Sequence, residues 1–159
     1  MNIRIGQGWD RHRLVPGRAL MLGGVRIASE LGEDGHSDGD VLVHAIVDAL
    51  LGALALGDIG RHFPPSDSRW KDAPSRIFLE RAVGLVRERG YGIVNLDATV
   101  MLERPRLAPH IDSIRASIAA LCGLPLDAVS VKAKTGEGVD AVGRSEAVEA
   151  SASALLQLL

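Results

Sequence analysis

Residues 35–57, GHSDGDVLVHAIVDALLGALALG, constrain this chain more than any other stretch. His36, Ser37, Asp38 and Asp40 crowd a loop that runs directly into a helix, with His44 one turn inside it. From position 41 to 56 the residues are almost all apolar, broken only by His44, Asp48 and Gly52. A helix apolar on every side must be buried, so the polar side chains at its start are held where solvent is limited. Gly57 supplies the stop. A cluster of His and Asp at the N-terminus of a buried helix is a candidate metal and phosphate site, because the unpaired N–H groups there attract anions.

The rest of the chain must cover that helix. With 159 residues, one domain (1–159) with a proper core is expected. A formal net charge of −2 leaves no basic footprint, and 3% aromatic residues leave little for base stacking, so nucleic acid is not an expected partner. Cys122 is alone, which excludes an intrachain disulfide and fits a reducing compartment. The first ten residues, MNIRIGQGWD, contain no apolar run resembling a secretory signal. His44 and Asp48 interrupt the longest apolar stretch, so no membrane span is expected and a cytoplasmic location is.

Residues 2–9 read as a strand delivering Asp10-Arg11-His12. In an extended segment residues i and i+2 face the same way, about 7 Å apart, so Asp10 and His12 can point at one ion. Segments 18–22 and 25–27 flank Gly23-Gly24 as a hairpin. The spacing predicts an amphipathic helix over 75–89, a long strand over 91–102, a helix carrying Ile111, Ile114, Ile118 and Leu121, and a strand over 128–134. The tail 146–159 suits a helix by its Ala and Leu content and a strand by the alternation of AVEASASA. Strands separated by helices point to a layered fold with helices on a sheet.

Asp10, His12 and His44 form an Asp/His/His set drawn from a strand end and a helix start. Three protein ligands leave a coordination position open, as at a catalytic zinc. Asp38, Asp40 and Asp48 compete for the ligand role; Asp40, His44 and Asp48 share one helix face, so an acid there could instead orient the imidazole. The plainer reading of spacing alone is that the Asp residues cap the helix and His44 is a satisfied core histidine.

The segments IGQGWDRH, LGGVRI, GHSDGDVLVHAIVDALLGALALGDIGRHFP, RPRLAPHI and VKAKTGEGVDAVGR occur in one order. Together they resemble the 2-C-methyl-D-erythritol 2,4-cyclodiphosphate synthase family, nearly end to end. The resemblance implies an α+β fold, a mixed four-stranded sheet with helices packed on one face, assembling as a homotrimer with sites between subunits. It implies a phosphorus–oxygen lyase of non-mevalonate isoprenoid biosynthesis, acting on a cytidine diphosphate substrate. Zinc would bind Asp10, His12 and His44, and magnesium or manganese would bind Glu137. His36 and Thr135 match the catalytic positions that steady the transition state. Ser37, Asp58, Ile59 and Gly60 match contacts to the phosphate and erythritol part. Leu102, Arg106, Leu107, Ala108, Lys134, Thr135 and Gly136 match the cytidine and diphosphate pocket, and Arg11, Ala141 and Arg144 are further matched contacts.

The chain departs from the family pattern after Glu137, where Gly138-Val139-Asp140-Ala141 replaces a Lys-Leu-Gly-aromatic run and Ser145 replaces a glycine. Two other readings share the same residues: a metal-dependent phosphohydrolase, in which activated water attacks the phosphate ester, and a non-catalytic trimer binding nucleotide or isoprenoid diphosphate.

Overall fold

A computed structural model describes residues 2–159. Strand β1 (Ile3–Pro16) is the frame. Its even-numbered residues face helix α1 (Val41–Ala53), and Gly6 and Gly8 let the two backbones meet. A Cβ on Gly6 would lie 1.8 Å from the Ala49 carbonyl oxygen, and one on Gly8 would lie 1.9 Å from that of Ala45. No side chain fits in those gaps, so the two glycines fix the depth at which the helix sits. The next even positions, Asp10 and His12, then come level with the first turn of α1.

β1 runs well past the predicted residues 2–9 because it pairs antiparallel with β7 (Ala147–Leu158) from Ile3↔Gln157 to Arg13↔Ala147. The sheet is five-stranded, not four-stranded, in the order β4 (Leu31–Asp34), β1, β7, β5 (Tyr91–Met101), β6 (Val129–Lys134). The unforeseen strand is β4 (Leu31–Asp34), paired with the far end of β1 from Arg13↔Asp34 to Pro16↔Leu31. Its sequence, LGED, has almost no strand propensity; pairing rather than composition extends it. β5 (Tyr91–Met101) runs antiparallel to β7 and parallel to β6 (Val129–Lys134), so the sheet is mixed.

The ambiguous tail is therefore the central strand. Val148, Ala150, Ala152, Ala154 and Leu156 are buried on one side of β7, and small alanines there leave room for α1 to cross the sheet. Helix α3 (Arg76–Glu88) packs beside α1 and helix α4 (Ile111–Cys122) beside α3, and they cover β5 and β6 on the same face. Leu42, Ile46, Leu50 and Leu51 of α1 are all at most 1% exposed. Each such side chain contributes roughly 1.5–3 kcal/mol on burial, so α1 is the main apolar anchor. It ends at Ala53 rather than 56, where Ala55 turns to φ +56°.

β2 (Leu20–Leu22) and β3 (Val25–Ile27) form the predicted hairpin, with Gly23 and Gly24 at φ +61° and +77° as a two-residue turn requires. Short helices α2 (Ile59–His62) and α5 (Asp140–Gly143) close two loops. Among the described residues no helix is long and apolar enough to cross a membrane.

Candidate metal centre

Asp10 and His12 on β1 and His44 on α1 converge, each offering one ligand atom, with all three atoms within 4.8 Å of one another. Asp10 Oδ2 lies 3.0 Å from His12 Nε2 and 3.0 Å from His44 Nδ1. Its other oxygen accepts the Arg11 backbone N–H at 2.9 Å, which fixes the carboxylate plane. The two imidazole rings meet edge to face, 5.1 Å between centroids. One carboxylate oxygen and two imidazole nitrogens facing a common point, with a cavity on the open side, fit a divalent transition metal.

The far nitrogen of each ring is held from behind. His44 Nε2 is 2.9 Å from Ser75 Oγ and 3.2 Å from Ser37 Oγ. Ser75 in turn donates its hydroxyl, by a short hydrogen bond, and its backbone N–H to Asp38. His12 Nδ1 is 2.5 Å from the Gly39 carbonyl oxygen and 3.1 Å from Glu33 Oε2. Partners of this kind set the tautomer and aim the free lone pair.

None of the three competing acids of the sequence reading belongs to the converging set. Asp38 is occupied by Ser75. Asp40, fully buried, accepts the backbone N–H groups of Gly23 at 2.9 Å, Gly24 at 2.6 Å and Val43 at 3.0 Å. Asp48 accepts the Ile59 N–H at 2.7 Å. Neither Asp40 nor Asp48 orients an imidazole; that work falls to Glu33 and Ser75, which sequence spacing did not single out. Both come from segments distant in sequence, and Glu33 lies on the strand that propensity did not predict.

Burial opposes the charge on Asp10, but the hydrogen bonds from His12 and His44 outweigh it and hold the carboxyl well below the usual range. Burial likewise disfavours the His12 imidazolium, yet its bonds to Asp10 and Glu33 lift it to about 10. Glu33 is itself pushed up by burial, against the pull of His12. Asp10 thus carries the negative charge of the cluster.

A cavity of about 260 Å³ opens on the triad, lined by His36, Ser37, Ile59 and Gly60 and by an apolar wall of Phe63, Pro65, Trp70 and Phe78. Phe63, Trp70 and Phe78 pack as an aromatic cluster, with centroids 4.6–5.8 Å apart. Asp58 caps α2 through the Arg61 N–H at 2.9 Å and is exposed beside this cavity's Ile59. A second cavity, of about 520 Å³, gathers Leu102, Arg106, Leu107, Ala108, Lys134, Thr135 and Glu137 together with Glu103 and Ala133. The Thr135 hydroxyl donates to Glu137 Oε1 at 2.7 Å, and the Gly136 N–H to Glu103 Oε2 at 2.9 Å. Glu103 falls within the matched segment 102–108, but the sequence did not single it out.

Arg11 and Ala141 line a third cavity, where Arg11 pairs with Glu149; Arg144 pairs with Glu146 on its rim. Thus the structure divides the predicted site residues among separate cavities. Among the described residues, the triad cavity and the Thr135–Glu137 cavity have no lining residue in common.

A mixed sheet with one helix-covered face and an Asp–His–His cluster opening on a cavity defines an α+β protein with a candidate metal site. The YgbB family model matches residues 3–157, and the chain belongs to that family. A 2-C-methyl-D-erythritol 2,4-cyclodiphosphate synthase of Laribacter hongkongensis is 58% identical over 157 residues, covering 99% of this chain and 97% of the relative. A solved structure of 2C-methyl-D-erythritol-2,4-cyclodiphosphate synthase in a CDP-bound form superposes with a TM-score of 0.90 at 44% identity, covering 97% of this chain and all of that one. The bifunctional IspDF of Campylobacter jejuni superposes at 0.95 with 38% identity; 99% of this chain matches 43% of that longer one.

Proposed function

We propose that this chain performs the reaction for which its relatives are named. The 2-phosphate of 4-diphosphocytidyl-2-C-methyl-D-erythritol 2-phosphate attacks the β-phosphorus of the same molecule. The bond from that phosphorus to the CMP oxygen breaks, and 2-C-methyl-D-erythritol 2,4-cyclodiphosphate and CMP leave. The observation that carries this reading is the Asp10–His12–His44 cluster at the floor of a cavity lined by His36 and Ser37, in a chain 58% identical to a named synthase.

A phosphate is anionic near neutrality, so the protein supplies no strong base; it folds the substrate into an in-line pose and neutralises charge. Well-oriented intramolecular attack removes roughly 7–11 kcal/mol of barrier. When bound, zinc at Asp10, His12 and His44 and magnesium or manganese at Glu137 would supply Lewis acidity toward the diphosphate oxygens. His36 and Ser37 face the same cavity as the triad, suited to donate hydrogen bonds to a phosphate held there. Asp58, Ile59 and Gly60 border the erythritol side. Leu102, Arg106, Leu107, Ala108, Lys134 and Gly136 surround the cytidine and diphosphate side, a reading supported by a CDP-bound relative. Thr135 is bonded to Glu137, which orients that carboxylate toward a hydrated cation needing few protein ligands. Arg11, Ala141 and Arg144 take up the remaining contacts.

The two halves of this substrate have separate cavities in one chain, which supports a homotrimer with sites completed between subunits. The sheet face away from the helices supports the same assembly: Ile3, Ile5 and Trp9 are 50%, 75% and 55% exposed there. The enzyme would work in the cytoplasm.

Phosphorus NMR of the protein with the diphosphocytidyl substrate, zinc and magnesium tests the reading. Cyclic diphosphate with equal CMP is expected. CMP with an acyclic diphosphate would establish hydrolysis instead. An unchanged spectrum from metal-loaded protein would leave a ligand-binding trimer and direct attention to Gly138–Ala141.

A further inference from the structure

We propose that Glu33 is a positioning residue for the metal centre: it holds the His12 ring from behind, keeping Nδ1 protonated and the Nε2 lone pair aimed at the ion. This rests on the reading of Asp10, His12 and His44 as metal ligands.

The placement follows from register. Glu33 pairs directly with Leu14 across the β4–β1 ladder, so its side chain stands on the helix-facing side of the sheet, diagonal to His12. It is wholly buried. Oε2 lies 3.1 Å from His12 Nδ1 and accepts the Val41 N–H at 2.8 Å, linking the ring to the first turn of α1. Gly39 makes the space for it. Gly39 has φ +81°, and a Cβ there would lie 2.8 Å from Glu33 Cβ. The same residue's carbonyl takes the other share of the Nδ1–H.

The second carboxylate oxygen separates function from packing. Glu33 Oε1 is buried and has no hydrogen-bond partner. A buried carboxylate with an orphaned oxygen costs stability, and an apolar side chain of similar size would cost less. What Glu33 offers that an apolar residue lacks is an acceptor behind His12. A carboxylate in that position fixes the tautomer and raises the basicity of the ligating nitrogen.

Two substitutions test this, with zinc affinity read by competition against a chromophoric chelator and stability read by urea unfolding of the metal-free protein. Glu33→Leu should weaken zinc binding by about ten- to a hundredfold while leaving the metal-free protein at least as stable. Glu33→Gln, which retains an oxygen to accept the Nδ1–H, should recover part of that loss. Zinc affinity in Glu33→Leu equal to that of the parent would overturn the proposal, whatever happens to stability. Should Glu33→Leu not fold, Glu33→Gln decides alone: weaker zinc binding supports the role, and unchanged binding overturns it. His44→Ala serves as the control for the ligand assignment itself. If that variant keeps its zinc, the ligand reading fails; if it loses zinc while Glu33→Leu does not, only the positioning role fails.

Discussion

Gly8 of the first strand lies so close to α1 that a Cβ on it would sit 1.9 Å from the Ala45 carbonyl oxygen, one residue from the metal-site histidine. The contact is backbone against backbone, so no rotamer can relieve it. Gly8→Ala should destabilise the protein by roughly 3 kcal/mol or more, at the upper end of overpacking costs. It should weaken zinc binding as well, because α1 must lift away from Asp10. A fall in the urea midpoint together with a rise in the zinc dissociation constant is the expected pair of results.

Gly52 makes the opposite prediction. It lies in α1, and the nearest atom to its missing Cβ is Gln7 O at 3.8 Å, an ordinary contact. Gly52→Ala should therefore raise stability by about 0.5–1 kcal/mol through helix propensity alone. Its urea midpoint should move up at an unchanged slope.

Asp40 ties the β2–β3 turn to the start of α1 through the N–H groups of Gly23, Gly24 and Val43. Asp40→Ala strips all of them of their acceptor, and each unsatisfied buried donor costs about 1–3 kcal/mol. A loss of roughly 3 kcal/mol or more is expected. Full burial lifts the Asp40 carboxyl to about 6 even against these donors. Its unfolded value is the ordinary one of 3.8, so between the two the folded state holds the extra proton. This group's contribution to stability is then complete below 3.8 and declines as pH rises through 6. Asp40→Asn, which cannot ionise, should lack that slope in a series of unfolding curves across pH.

The local elements were legible because their periodicity is strong: α1, α3, α4, β5 and β6 stand within a few residues of where spacing predicts them. β4 was not legible, since LGED extends only because β1 offers it a ladder. The tail was ambiguous for a related reason. Its alternating alanines satisfy helix propensity and strand burial alike, and pairing with β1 on one side and β5 on the other decides between them. At the site, Asp10, His12 and His44 could be named from a strand end, a helix start and a family resemblance. Glu33, Ser75 and Glu103 act through contacts 21, 31 and 33 residues distant in sequence, and no local pattern marks such pairs.

His44 bridges the buried helix and the open cavity, with Asp10 on one ring nitrogen and Ser75 on the other. His44→Ala should lose zinc and turnover together, read by metal analysis of the purified protein and by CMP release. Full zinc content with full turnover in this variant would remove His44 from the ligand set.

The second ion proposed at Glu137 would lie apart from the Asp10–His12–His44 cluster. Glu137 sits at φ +53° in the Thr135–Gly138 turn, its carboxylate bonded by Thr135, in a cavity lined by none of Asp10, His12 and His44. Glu137→Ala should keep zinc at the parent's stoichiometry but lose manganese binding, followed by the electron paramagnetic signal of free Mn2+. A bound cation acting as a Lewis acid contributes several kcal/mol, so turnover with magnesium should fall by roughly two to three orders of magnitude. Because Glu137 and Thr135 are joined, Thr135→Val should weaken manganese binding in the same direction and to a smaller degree. Unchanged manganese affinity in Glu137→Ala would move the second ion elsewhere, with Glu103, the other carboxylate lining the same cavity, to test next.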